Sequence, residues 1–328
     1  MNAWLLFLVP LLALPLVLLF RFVGCSSFSA EDPGPETTPP SSTPMPPPTN
    51  TKPPRYRDYI LGAPNNPGQV KNPTFPPNGA EVIAYWRLVD AAASQTAIDE
   101  KGFQDGAYKE GHVLPAVAGS EGRNPAHFTP GQASLITSDP AVQGRFFDGG
   151  YVQVPYKPGL YSDDFTIEAW VKINALAPTF SHALFDAGGR YALTGSTIRE
   201  RGFRLYADQQ NKWQARMGPG TADLFPTPFM VSPSPRTHVA LTVANDVAGG
   251  GKKKVTLYLD AKEVASAVAD SYAPPDSAPL YLGIENTNQS PATAPTLRHP
   301  ALFQIQEVVL YRKALAHEEI ENHVDINR

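Results

Sequence analysis

Fifteen prolines fall among the 48 residues from Glu31 to Asn78, and they cut the chain into three unlike parts. Proline fixes φ and removes a backbone donor, so a segment this rich in it can join neither a helix interior nor a central strand. Its other residues are largely Ser, Thr and Asn, with too few apolar side chains to offset the entropy of ordering. Runs such as Pro46-Pro47-Pro48 favour the polyproline II conformation. Residues 26–78 are therefore expected to be a disordered linker, whose stretch from Glu31 to Asn78 would reach roughly 150 Å if fully extended at ~3.1 Å per residue. Only Arg55-Tyr56-Arg57-Asp58-Tyr59-Ile60-Leu61 interrupts it, a patch able to pack on the rest of the chain or on a neighbour.

Ahead of the linker, Trp4 to Phe20 carries no charge. The run is long for the core of a signal peptide and just long enough to cross a bilayer as a helix. Pro10 and Pro15 are tolerated in a membrane helix. Phe22-Val23-Gly24-Cys25 resembles a bacterial lipobox, which implies lipidation of Cys25 after cleavage. The other reading is an uncleaved signal anchor. Phe22 stands where leucine is commonest, no Lys or Arg precedes the apolar run, and Arg21 follows it. Residues 1–25 are thus expected to be a signal or membrane-anchor segment, and the protein to be exported, membrane-bound through its N-terminus, and placed at the cell surface or in the periplasm.

Residues 79–328 are expected to form one domain. At ~250 residues it can bury a core of its own, and a chain whose only cysteine is Cys25 has no internal disulfide. Stretches with strand-like patterning recur at Val82–Leu88, Tyr151–Val154, Phe165–Ile173, Phe203–Tyr206, Trp213–Met217, His238–Val243, Val255–Leu259, Glu263–Val268, Leu280–Ile284 and Leu302–Tyr311. In Phe165–Val171 the large apolar residues share one parity and Thr166 and Glu168 the other, with Trp170 breaking the alternation. That strand is expected to meet packing on both sides. Leu315 to Asn322 reads as a helix, with Glu318 and Glu319 in its first turns. Many strands, no βαβ rhythm and one terminal helix predict an all-β, two-sheet antiparallel sandwich of jelly-roll type.

The order of several stretches resembles bacterial laminin G-like domains of the concanavalin A-like lectin/glucanase superfamily. They are Ala84-Tyr85-Trp86-Arg87-Leu88-Val89-Asp90, Phe147-Asp148-Gly149-Gly150-Tyr151-Val152-Gln153-Val154, Phe165-Thr166-Ile167-Glu168-Ala169-Trp170-Val171, His238-Val239-Ala240-Leu241-Thr242, Val255 to Asp260, Pro279 to Gly283, and Ile305 to Tyr311 with Glu318-Glu319-Ile320. The likeness covers about residues 80–325. It implies core roles for Trp86 and Trp170 and a structural role for His238. The family usually has glycine after the aspartate at Asp260, where this chain has Ala261. The turn there is accordingly expected to be looser than a type I′ turn or of another type.

The resemblance leaves the ligand open. A net charge of −4 with no basic face argues against nucleic acid. Glycoside hydrolases of the superfamily set paired carboxylates on one strand face. Here Glu168 is the only acid in its strand, Glu307 stands alone, and no E-x-D-x-x-E is present. The domain is expected not to be an enzyme. The histidines show no zinc-ligand spacing. Laminin G-like domains often hold calcium at the rim, which implies Asp148, Asp186 and Asp99 as candidate ligands. For a glycan, Trp213 and Tyr206 flank the polar tip Asp208-Gln209-Gln210-Asn211 and could form a platform with Arg204 and Arg216. Asn286, in Glu285-Asn286-Thr287-Asn288-Gln289, is a further rim candidate. The expected function is non-catalytic recognition of a glycan or protein at the cell surface. The alternative is a surface or appendage component that associates with copies of itself, and a third reading is a cryptic glycoside hydrolase.

Overall fold

The computed structural model describes residues 56–62, 79–110, 127–173, 181–192, 198–218, 223–225, 236–247, 249–286 and 297–327. The apolar run at 3–20, Cys25 and most of the proline-rich span lie outside them.

Two antiparallel sheets face each other. The larger is built from β1 (Val82–Trp86), β4 (His127–Gln132), β5 (Gly144–Asp148), β7 (Phe165–Ile173), β13 (Thr237–Asn245), β14 (Lys253–Leu259), β15 (Lys262–Ala269) and β19 (Leu302–Tyr311). Its order is β15-β14-β13-β7-β19-β5-β4, with β1 also paired to β19. The second sheet takes β2 (Thr96–Ala97), β3 (Gly106–Lys109), β6 (Tyr151–Val154), β8 (His182–Asp186), β11 (Phe203–Ala207), β12 (Trp213–Met217) and β16 (Leu280–Leu282). Its order is β12-β11-β8-β16-β6-β3-β2. Two small hairpins complete the strands: β9 (Gly189–Ala192) with β10 (Ile198–Arg201), and β17 (Glu285–Asn286) with β18 (Leu297–Arg298).

The core lies between the sheets, and strand alternation fills it. From β7 come Phe165, Ile167, Ala169 and Val171; from β19, Phe303, Ile305, Val308 and Leu310; from the second sheet, Leu205, Ala215, Phe185, Leu282 and Val152. Trp86 is fully buried here, as expected.

The opposite parity of β7 is also covered. Thr166, Glu168 and Trp170 lie beneath two helices, α1 (Tyr56–Ile60) and α2 (His317–Ile326). Tyr56, Tyr59 and Ile60 are buried with Trp170, Tyr311, Ile320 and Val324 in a second apolar cluster. The linker boundary at residue 78 is thereby corrected. Residues 56–62 are ordered against the domain because two aromatic rings and an isoleucine supply the apolar surface that the surrounding prolines lack. Helix α2 starts two residues later than expected, since Leu315 donates its N–H to Thr166 Oγ1 (2.8 Å) instead of entering the helix.

The expectation of a loose turn at Asp260-Ala261 is also corrected. Leu259 pairs with Lys262, leaving a two-residue loop, with φ of 48° at Asp260 and 65° at Ala261. Positive φ at both central positions is the type I′ signature. The turn is held because Asp260 is bonded twice to the His238 backbone, accepting its N–H through Oδ1 (2.8 Å) and donating to its carbonyl (2.9 Å). Ala261 therefore carries left-handed strain, and Ala261→Gly is expected to raise stability by about 0.5–1 kcal/mol. Urea unfolding checks this; a variant less stable than the parent would contradict it.

Candidate functional site

The two sheets differ in what covers them. The outer face of the larger sheet is covered over its central strands by α1 and α2. The outer face of the second sheet instead carries a polar row from strand to strand. Arg216 pairs with Arg204, Arg204 with Asp186, Asp186 with Tyr281, Tyr281 with Gln153, and Gln153 with Ala107. The neighbouring row on the same strands, Ala215-Leu205-Phe185-Leu282-Val152-Tyr108, belongs to the core. Alternation therefore assigns Arg216, Arg204 and Asp186 to the outside.

The middle of this face is covered by the β17–β18 hairpin, whose Leu297 packs with Ile284 onto Tyr151 and Tyr281. Beneath it, Arg204 lies between two acids. Its Nη1 is 2.5 Å from Glu285 Oε1, and its guanidinium reaches both Asp186 oxygens at 3.5 Å. Asp186 is fully buried: Oδ1 accepts the N–H of Gly188 (2.8 Å) and Oδ2 that of Asn286 (2.7 Å). Burial raises the Asp186 carboxyl above its ordinary range against the pull of Arg204, and the nearby Glu285 adds to the rise. Glu285 is displaced the other way. Burial would raise it, but the hydrogen bond to His299 Nδ1 and the charge of Arg204 hold it below the usual carboxylate range.

At the open end of the row, Arg216 Nε donates to Asp223 Oδ1 (2.6 Å), and Tyr206 donates its hydroxyl to the same oxygen. The Arg216 guanidinium lies over the Tyr206 ring, 5.5 Å from its centroid. The Arg216 and Asp223 side chains are 38% and 37% exposed, so this pair is the accessible rim of the site.

The structure thus gathers Arg204, Arg216, Tyr206, Asn286 and Asp186 on one face, and adds Glu285, His299 and Asp223. Trp213 is corrected. It pairs with Ala207, faces the core and is 2% exposed, so it offers no platform to a sugar. A Trp213→Ala change would probe packing, not binding.

Two of the calcium candidates are engaged by the protein itself. Besides Asp186, Asp99 accepts four backbone N–H groups: Tyr85 (2.8 Å) and Lys101 (2.9 Å) on Oδ1, Phe103 (2.7 Å) and Gln104 (2.8 Å) on Oδ2. A carboxylate in that setting is a loop organiser. Asp148 ends β5, half-buried, opposite Leu302 and His127. Among the described residues, the only group of three His, Cys, Asp or Glu side chains within metal-ligand reach is Glu168, His238 and His323. Sequence spacing gives no hint of it, because β7, β13 and α2 supply one ligand each.

Residues 146–321, more than half of the chain, match a laminin G-like family of the concanavalin A-like lectin/glucanases superfamily. The chain belongs to that family, whose fold is shared by glycoside hydrolases and by non-catalytic binding domains. No curated protein sequence matches it. Among solved structures it is similar to a Trypanosoma rangeli sialidase mutant displaying trans-sialidase activity (19% identity, TM-score 0.45, covering 76% of this chain and 34% of that one). It is also similar to the binding domain of botulinum neurotoxin DC in complex with SialylT (12%, 0.45, 76% and 52%). A third is domain 4 of a GH43 extracellular arabinanase from Geobacillus stearothermophilus, in complex with arabinotriose (14%, 0.45, 76% and 98%). The chain spans about a third of the length of the sialidase.

Proposed function

We propose that the domain is a non-catalytic glycan-recognition module, held at a cell surface by residues 1–25 and carried on the proline-rich span, with the outer face of the second sheet as its ligand face. The observation that carries this reading is the row Arg216-Arg204-Asp186-Tyr281-Gln153, at whose rim the exposed Arg216 and Asp223 set a planar donor beside an acceptor. Sugar hydroxyls are bound by a few precisely placed polar groups of this kind. The buried part of the row holds the rim in place, since Arg204 ties β11 to β8 and to the β17 hairpin. Asp186 and Glu285 do not suit hydrolysis. Retaining chemistry needs two carboxylates about 5 Å apart flanking the scissile bond, whereas these two share one guanidinium and Asp186 has no contact with solvent.

The test is a glycan array probed with the full-length chain in detergent, alongside Arg216→Ala and Asp223→Ala. Both side chains lie at the rim, and their ion pair contributes less than about 1 kcal/mol to stability, so both variants are expected to fold. Saturable binding by the parent, weakened at least about tenfold in either variant, is the expected result. Binding unchanged in both variants would remove the ligand face from this surface.

A further inference from the structure

We propose that Glu168, His238 and His323 form a binding site for a divalent transition-metal ion of the zinc type, on the outer face of the larger sheet and apart from the glycan face. The three side chains come from β7, β13 and α2 and are 0%, 0% and 1% exposed. Their ligand atoms lie within 4.8 Å of one another. His238 Nε2 is 3.3 Å and His323 Nδ1 2.9 Å from the same oxygen, Glu168 Oε2. A tetrahedral zinc ion with bonds of ~2.0–2.1 Å places its ligands about 3.3 Å apart.

The surroundings are those of a ligating carboxylate. Glu168 Oε1 accepts the hydroxyls of Tyr56 (3.2 Å) and Tyr311 (2.7 Å), so the tyrosines occupy one oxygen and leave the other to the imidazoles. Such hydrogen bonds orient metal-bound carboxylates. Packing fixes the rings: Tyr311 stacks on His323 (5.8 Å, 19°), Tyr59 meets it edge-on (5.7 Å), and Trp170 packs against His238 (5.1 Å). His238 Nδ1 is buried without a hydrogen bond, and Nε2 meets only the Glu168 oxygen.

Charge points the same way. Among the described residues four glutamates are buried: Glu168, Glu285, Glu307 and Glu319. Arg204 faces Glu285, Arg87 faces Glu307 and Lys313 faces Glu319. Glu168 alone meets no lysine or arginine and has only the two imidazoles beside it, whereas a buried carboxylate requires a counter-charge. A divalent ion supplies it. Two imidazoles and one carboxylate suit zinc-type ions, whereas calcium takes six to eight oxygens. Binding forms a bond to each facing nitrogen, and any proton there is released to solvent. The ion would join β7, β13 and α2 and, through Tyr56, hold α1.

The full-length chain in detergent, stripped with a chelator, would be titrated with Co²⁺. One ion per chain is expected, with the visible absorption of a tetrahedral nitrogen–oxygen site and no thiolate charge-transfer band from Cys25. Zn²⁺ is expected to displace it and to raise the melting temperature. His238→Gln and His323→Gln keep an amide N–H for Glu168 but are expected to weaken uptake by at least about tenfold. A folded parent chain that takes up neither ion, or glutamine variants that bind as the parent does, would overturn the site and leave a hydrogen-bonded carboxylate. If the variants fail to fold, the parent titration decides alone.

Discussion

Replacing Arg204 with alanine is expected to lower stability by roughly 3–5 kcal/mol, the range seen when one partner of a buried ion pair is removed. The change would strand two carboxylates at once. Asp186 has no contact with solvent and Glu285 little, and Arg204 is the one arginine in contact with both. Against a total stability of 5–15 kcal/mol for ordinary domains, a loss of that size is visible as a large fall in the urea midpoint. Arg204→Lys restores the charge without the planar fork that reaches both acids, so it should recover only part of the loss. A midpoint unchanged in Arg204→Ala would show that the row is not held by this pairing. The proposed glycan face would then lack the support assigned to it.

A chain beginning at Gly79 is expected to be less stable than one beginning at Thr51 by several kcal/mol. Tyr56, Tyr59 and Ile60 are all buried, and burial of a large apolar side chain is worth about 1.5–3 kcal/mol each. Removing them also exposes Trp170 and takes one hydroxyl from Glu168. The comparison is two urea unfolding curves. Equal midpoints would make α1 a bystander; a lower midpoint in the shorter chain would make it part of the domain.

Much of this architecture could be read from local alternation. Phe165–Ile173 and Leu302–Tyr311 are long enough for their period to show, and the structure places both at the centre of the larger sheet. Trp170 breaks the alternation because helices cover the second face of its strand. Short strands carry less signal. His182–Asp186 has five residues, all buried, and no period to read. Helix α1 is hidden by the prolines around it, since its stability comes from the surface it lands on rather than from its five residues.

The site was partly legible for the same reason. Arg204 and Tyr206 share a parity on β11, and the pattern of two basic residues beside a tyrosine survived folding. Trp213 was misplaced by proximity to the polar hairpin tip. Its own strand holds the correction, because Trp213, Ala215 and Met217 share the parity that faces the core while Gln214 and Arg216 share the other. Glu285 and His299 could not be joined to Arg204 from sequence. Their contacts depend on a hairpin folding back over the middle of the sheet face, and no local spacing encodes that. The same holds for Glu168, His238 and His323, which three separate elements bring within reach.

The central claim is recognition without cleavage, and one measurement addresses it most directly. An oligosaccharide found to bind would be followed by NMR in the presence of the full-length chain over many hours, reading its bound-state broadening and its reducing-end signals together. Saturable broadening, reduced in Arg216→Ala, with no new reducing ends is the predicted result. New reducing-end signals that grow with time and with protein concentration would contradict it.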